Sequence, residues 1–275
     1  MTLASTINLL DKPFNELLSI SLSNFYIMQQ LENKLKYLRM SAVLQSLKQH
    51  NEAAQEQQLS YLEFFEMLIE DECVKRKANV LRQRLVKSKL NTQKSFEHYD
   101  PSFQPELDKK LLAEIRACRF VEERKNIILI GKPGTGKTHL ANAIGLEAAS
   151  KGYSVTFSHL HSLLERLAQG RIDNSHRRII QQILAPDLLI LDEIGFRVLN
   201  PQALDDFFEI IRHRYEHKST IFTSNRNFED WGTILGDKVM ASAIIDRIVH
   251  HAHILKFSGE SYRIKDFLTQ LNNID

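Results

Sequence analysis

Eight consecutive residues have the types and spacing to hold phosphate: Gly131, Lys132, Pro133, Gly134, Thr135, Gly136, Lys137 and Thr138. Two glycines five apart, followed by Lys and Thr, fit a phosphate loop. Glycine's access to positive φ lets such a loop turn its backbone N–H groups toward one centre, which makes a cradle for an anion. Lys137 is positioned in the pattern to reach β- and γ-phosphates, and the Thr138 hydroxyl to hold Mg²⁺. Further along, Asp192 and Glu193 close an apolar run, Leu188-Leu189-Ile190-Leu191. A carboxylate there can reach the magnesium shell, and the one beside it can deprotonate an attacking water. Asn225 ends Thr220-Ile221-Phe222-Thr223-Ser224, a strand pattern that closes in small polar groups, and can set its amide between a γ-phosphate and that water.

These groups need elements to position them. Ile127 to Ile130 reads as a strand before the loop, and Leu140, Ala141, Ala143 and Ile144 as a helix after it, whose N-terminal dipole adds to the anion site. That strand-loop-helix context separates the motif from an inert glycine-rich turn. His139 reads as packing or as support for the loop. Strands are expected at 126–130, 154–158, 188–193, 220–225 and 253–257, alternating with helices, which implies a five-stranded parallel α/β sheet with helices on both faces. Helical pattern at 160–167 is expected to break at Gly170 and resume at 175–184, with Arg166, Arg171, Arg177 and Arg178 around the break as a DNA-facing surface or a solvated loop. His250, His251 and His253 are expected on alternating faces, apart from one another.

The first hundred residues read differently. Ile27, Leu31, Leu35 and Leu38, then Ala42, Val43 and Leu47, recur at helical spacing, with Ser41 expected to cap the second helix. Ser60 and Glu63 form a capping box that opens a long helix to about Leu90. Residues 51–74 hold seven acids and no Lys or Arg, whereas 75–94 hold eight Lys or Arg and no acid. Val74, Ala78, Leu81 and Leu85 read as its buried stripe, with Lys75, Arg76, Arg82, Arg84, Lys87 and Lys89 available to a phosphate backbone. A solvated face paired with acids of a neighbouring helix is the alternative. Residues 91–104 read as a linker, and Pro105 as the first residue of a helix to about Arg119. The expected domains are therefore 1–100, helical, for DNA or partner binding, and 101–275, α/β.

Composition narrows the class. With 275 residues, 43% hydrophobic and 25% charged, the chain suits an ordinary globular protein, and a net charge of +2 alone predicts no nucleic-acid partner. No apolar run approaches the roughly 18 residues of a membrane helix, and the first twelve residues lack a signal pattern, so no membrane role and a cytoplasmic location are expected. Cys73 and Cys118 lie too far apart for a zinc-type motif.

With these residues placed, the chain resembles the AAA+ ATPases, specifically the IstB-like transposition helpers related to DnaC helicase loaders and DnaA initiators. The resemblance rests on residues 131–141, 186–195, 223–225 and 246–248, and extends to Ser-Phe-Gln-Pro at 102–105 and Gly-Glu-Ser-Tyr-Arg at 259–263. It implies that Lys137 and Thr138 belong to Walker A, Asp192 and Glu193 to Walker B, Asn225 to sensor 1, and Arg247 to an arginine finger serving a neighbouring subunit of a homo-oligomer. It implies ATP and Mg²⁺ as cofactors, double-stranded target DNA, and a transposase encoded by the same element. A replicative helicase loader is the alternative; the basic run favours DNA over a purely protein partner. Lys132 replaces the usual proline at a position that contributes mainly backbone. Only a dozen residues follow Arg263, too few for the helical lid of many AAA+ proteins, and the resemblance therefore assigns no sensor 2 arginine.

Overall fold

The computed structural model describes residues 12–262, with side chains from Phe25 onward. It falls into two compact units, residues 1–80 and 81–275, divided inside a long helix and about twenty residues before the boundary at 100 that composition suggested. In the first unit α1 (Lys12–Tyr37) is followed by α2 (Ser41–Glu56) and the start of α3 (Tyr61–Ser88). Leu35, Val43, Leu47 and Leu68 form its small core. Ser60 and Glu63 make the capping box: the Ser60 N–H donates to Glu63 Oε2 at 2.7 Å and the Glu63 N–H to Ser60 Oγ at 3.3 Å. Ser41 does not cap α2, because Met40 holds the cap position without a side-chain bond. The buried carboxylate of Glu72 does this work from α3, accepting the Ala42 N–H at 2.9 Å.

The second unit is built on one sheet of β1 (Asn126–Gly131), β2 (Val155–His159), β3 (Leu188–Ile194), β4 (Ser219–Ser224) and β5 (Ala252–Phe257). All pairings are parallel, in the order β2-β3-β4-β1-β5. Between strands run α6 (Lys137–Ser150), α7 (Leu160–Ile172), α8 (His176–Leu184), α9 (Pro201–Arg214), α10 (Phe228–Ile234) and α11 (Lys238–Val249), and before β1 lie α4 (Lys109–Arg116) and α5 (Arg119–Glu122). Successive strand residues face opposite sides of the sheet. Ile127, Leu129, Leu188, Ile190 and Ile221 therefore pack with α6, while Ile128, Ile130, Leu189, Leu191 and Phe222 pack with the leucines and isoleucines of α7, α8, α9 and α11.

Three local expectations change. Gly170 does not break α7, which runs to Ile172; it allows α8 to approach, since a Cβ there would lie 2.9 Å from the His176 nitrogen. Pro105 does not start α4, whose first N–H groups are capped by Asp108 instead. Residues 91–104 are no free linker. They fold into short 3-10 turns at Phe96–His98 and Pro101–Phe103, tied to α6 by the Asn91 N–H donating to Asn142 Oδ1 at 2.9 Å. No helix among the described residues is long and apolar enough to cross a membrane.

Candidate nucleotide site

The phosphate loop leaves β1 at Gly131 and enters α6 through Gly136, whose φ of 97° suits only glycine. No side chain caps α6, so its first N–H groups point into the loop. Lys137, only 8% exposed, folds back over it, with Nζ 2.7 Å from the carbonyl oxygens of both Gly131 and Lys132. The Thr135 hydroxyl donates to the Lys132 carbonyl at 2.8 Å. Lys132 and Pro133 are exposed at the tip of the loop. The His139 side chain is engaged before β1: its Nε2 meets the Ser95 carbonyl at 3.0 Å and its ring lies tilted against Tyr99, centroids 5.6 Å apart.

Parity along the strands explains what the loop faces. Asp192 follows Leu188 and Ile190 on the α6 side of β3, and Thr223 follows Ile221 on the same side of β4. Asp192 is 1% exposed and accepts the Thr138 hydroxyl at 2.9 Å and the Thr223 hydroxyl at 2.5 Å. Glu193 departs from the alternation. The ladder between β3 and β4 is irregular between Leu191 and Ile194, and Glu193 has φ +63°. Such a bulge re-aims its side chain, leaving the carboxylate exposed while the N–H donates to Thr223 Oγ1 at 3.0 Å. Sequence reasoning missed Thr223, and it also missed His159. His159 shares the parity of Val155 and Phe157, lies opposite Asp192 in register, and brings Nδ1 to 3.3 Å from Asp192 and 3.5 Å from Glu193.

Asn225 is exposed just past the end of β4, one residue beyond Ser224, which itself accepts the Trp231 indole N–H at 3.2 Å. Arg247 sits near the end of α11, where the neighbouring Ile248 carbonyl accepts from Asn126 Nδ2 at 3.1 Å. Asn126 is the first residue of β1, so Arg247 is at the amino edge of the sheet, about 16 Å of strand from the loop at the other edge. It cannot reach its own chain's loop. Its guanidinium donates to the Ala243 carbonyl at 2.7 Å and lies over the Phe208 ring. Arg263 lies outside the described residues.

On α3 the buried stripe is not the one periodicity suggested. Val74 and Ala78 are exposed, whereas Leu81 and Leu85 pack against the core of the second unit. Lys75 donates to Gln45 Oε1 at 3.0 Å and Arg76 pairs with Glu72 at 2.9 Å, while Arg82, Lys87 and Lys89 are exposed and Arg84 is half-buried. Arg171 is not free for a phosphate: it makes a bidentate pair with the buried Asp206, both bonds at 2.6 Å, and His176 joins the same carboxylate at 2.8 Å. Arg166, Arg177 and Arg178 are exposed. His250 and His251 are not separated; their rings lie 4.0 Å apart beside Glu216, with all three side chains exposed.

A parallel sheet in this order, with a phosphate loop after β1 and an Asp-Glu pair closing β3, defines an ATPase of the AAA+ class. The likeness extends to solved structures: DnaI, at 24% identity and a TM-score of 0.53 over 62% of this chain and 95% of that one, and AMPPCP-bound DnaA from Aquifex aeolicus, at 22% identity and a TM-score of 0.53 over 68% of this chain and 57% of that one. At these identities the likeness concerns the fold. Sequence relatives are nearer: the chain is 39% identical to the protein named as the ATP-binding protein of insertion sequence IS21 from Pseudomonas aeruginosa, over 87% of this chain and 90% of that one. Its identity to the corresponding IS5376 protein of Geobacillus stearothermophilus is 36%, over 83% of this chain and 88% of that one. The model of the IstB-like ATP-binding proteins matches residues 33–269, and the chain belongs to that family.

Proposed function

We propose that this protein hydrolyses ATP to drive assembly on target DNA and to recruit the transposase encoded by its own insertion sequence. The observation that carries the hydrolytic part is the division of labour between two adjacent carboxylates. Asp192 is buried and bonded to Thr138, whereas Glu193 is turned outward and exposed. Thr138 and Asp192 offer the hard oxygen donors that suit Mg²⁺ and would hold it between loop and sheet. When bound, the ion neutralises charge on the β- and γ-phosphates. Lys137 and the N–H groups of the loop hold the same oxygens. Glu193 takes a proton from a water whose oxygen attacks the γ-phosphorus, and Asn225 orients that water. The bond from the γ-phosphorus to the β–γ bridging oxygen breaks, giving ADP and phosphate. Arg247 supplies positive charge to the site of a neighbouring copy, which makes the working form a homo-oligomer.

Two lines support the DNA and transposase parts: family membership beside relatives named for insertion sequences, and the exposed basic groups at Arg82, Lys87 and Lys89. Electrophoretic shift of duplex DNA with ATP, ADP or no nucleotide, followed by electron microscopy, tests the assembly. A larger complex with ATP than with ADP is expected, and it should retain the transposase of the same element on DNA. Equal shifts in all three conditions, with no transposase retained, would overturn the reading.

A further inference from the structure

Three metal-ligating side chains gather at the amino edge of the sheet, the edge opposite the phosphate loop. Glu216 lies in the turn between α9 and β4, and His250 and His251 lie in the turn between α11 and β5. These turns flank the start of β1, which runs between β4 and β5. Each residue brings one ligand atom within 4.8 Å of those of the other two. His251 Nε2 is 3.8 Å from Glu216 Oε1, and the two imidazole centroids are 4.0 Å apart. Ligand atoms around a tetrahedral zinc ion, bound at roughly 2.0–2.1 Å, stand about 3.4 Å from one another. The group is therefore a small side-chain rotation from a coordination shell, and its exposure leaves that rotation free.

The backbone beneath these side chains is pinned. The His250 N–H donates to the Asp246 carbonyl at 2.9 Å, the His251 carbonyl accepts the Asn126 N–H at 2.7 Å, and the Glu216 carbonyl accepts from Arg124 Nη1 at 3.2 Å. His250 also has the kind of outer partner that metal-bound imidazoles use. The Tyr215 hydroxyl is 2.7 Å from its Nδ1, which fixes the ring and leaves Nε2 for an ion. Two imidazoles with one carboxylate suit zinc and its divalent first-row neighbours, whereas Mg²⁺ and Ca²⁺ take oxygen shells. Three protein ligands on an exposed edge leave the fourth position to water.

We propose that Glu216, His250 and His251 bind one divalent ion of the zinc class, which ties the end of α11 to the turn before β4. Arg247 stands three residues before His250 on α11, so the ion braces the helix end that carries it.

Calorimetric titration of the full chain with Zn²⁺, after removal of any histidine tag and of bound metal by chelator, tests the site in excess Mg²⁺. The parent should take up one equivalent there. His251→Ala and Glu216→Gln change exposed side chains and should weaken that uptake about a hundredfold, while Tyr215→Phe, which removes only the outer partner, should weaken it about tenfold. Zn²⁺ should raise the unfolding temperature of the parent and not that of His251→Ala, because an ion held only by the folded state stabilises it. Without Zn²⁺ the variants should unfold at the parent's temperature, which separates lost ligation from a lost fold. His159, Asp192 and Glu193 form the other group able to hold an ion, so His159→Ala is the control and should leave the uptake unchanged. Uptake that Mg²⁺ abolishes, that follows His159 instead of His251, or that persists at full strength in both ligand variants would overturn the site, as would a parent that takes up no zinc.

Discussion

The two units solve the burial problem differently. In residues 81–275 the three inner strands, β3, β4 and β1, carry apolar side chains to both faces, and Ile127, Ile128, Leu129, Leu188, Leu189, Ile190 and Leu191 are wholly inaccessible. In residues 1–80 the described core is four side chains, while Phe25, Tyr26, Tyr37, Tyr61, Leu62 and Phe65 stand exposed. A sheet covered on two faces fixes its edge residues rigidly, so a site at that edge can be accurate to fractions of an ångström. A thin helical core offers no such frame. Chemistry therefore belongs to the second unit, and single substitutions in the two units should fail in different ways.

The largest effect expected is at Arg247. Arg247→Ala should bind ATP as the parent does yet lose hydrolysis by roughly 10³ or more, the range of an arginine finger. Its distance from its own loop means that mixing it with Lys137→Ala protein should recover some turnover, since a mixed interface can pair an intact loop with an intact finger. Co-assembly of the two variants without recovered turnover would refute action in trans. Glu193→Gln comes next: it should lower hydrolysis by about 10² to 10⁴ and trap bound ATP, with the DNA complex formed as before. Normal turnover in that variant would remove Glu193 as the base.

Much of the second unit was legible because its signals are contiguous. A four-residue apolar run that ends in Asp-Glu reads as a buried strand once a phosphate loop precedes it by about 55 residues, and the five parallel strands follow from the alternation of strand and helix patterns. Thr223 and His159 were legible in principle, since both share the strand parity of Asp192's face, yet parity shows only after the order β2-β3-β4 is known. The positive φ of Glu193 carries no sequence signal, because the bulge arises from how β3 and β4 pair. In the first unit the periodicity was right about helices and poor about burial. Of Ile27, Leu31, Leu35 and Leu38, only Leu35 is buried, as apolar spacing marks a face without saying what covers it.

The basic stretch of α3 gives the next prediction, because it tests whether the positive charge there acts on DNA. Changing Arg82, Arg84, Lys87 and Lys89 together to Gln keeps straight-chain residues throughout, including at Lys89, which lies just past the helix end with φ +60°. If these four contact phosphates, the log-log dependence of duplex affinity on salt should become shallower by up to about four units, a loss of sensitivity of roughly 10² over a fourfold salt range. Binding should stay weakly dependent on sequence, since phosphate contacts carry little base information. An unchanged slope would assign DNA binding elsewhere, with exposed Arg166, Arg177 and Arg178 the next residues to change.

The smallest effect expected is one of stability in the first unit, at Glu72. Burial works to raise this carboxyl, but the bonds it accepts from Arg76 and from the Ala42 and Val43 N–H groups outweigh burial and hold it below the ordinary glutamate value. A carboxyl lowered by folding stabilises the folded state above its unfolded value, and that stabilisation is lost as pH falls through the lower folded value. Glu72→Ala leaves the start of α2 without its cap at any pH, at a cost of about 1–2 kcal/mol. Hydrogen exchange of the full chain should then quicken in residues 41–48 at pH 7, while residues 126–131 keep the parent's protection and ATP hydrolysis is unchanged. Acidifying the parent should raise exchange in the same α2 segment, after correction for the intrinsic pH dependence of exchange, whereas the Glu72→Ala protein should show little further change there. Equal loosening of β1 in the variant would mean that the two units unfold together, and the contrast between a rigid catalytic frame and a separately yielding helical unit would have to be given up.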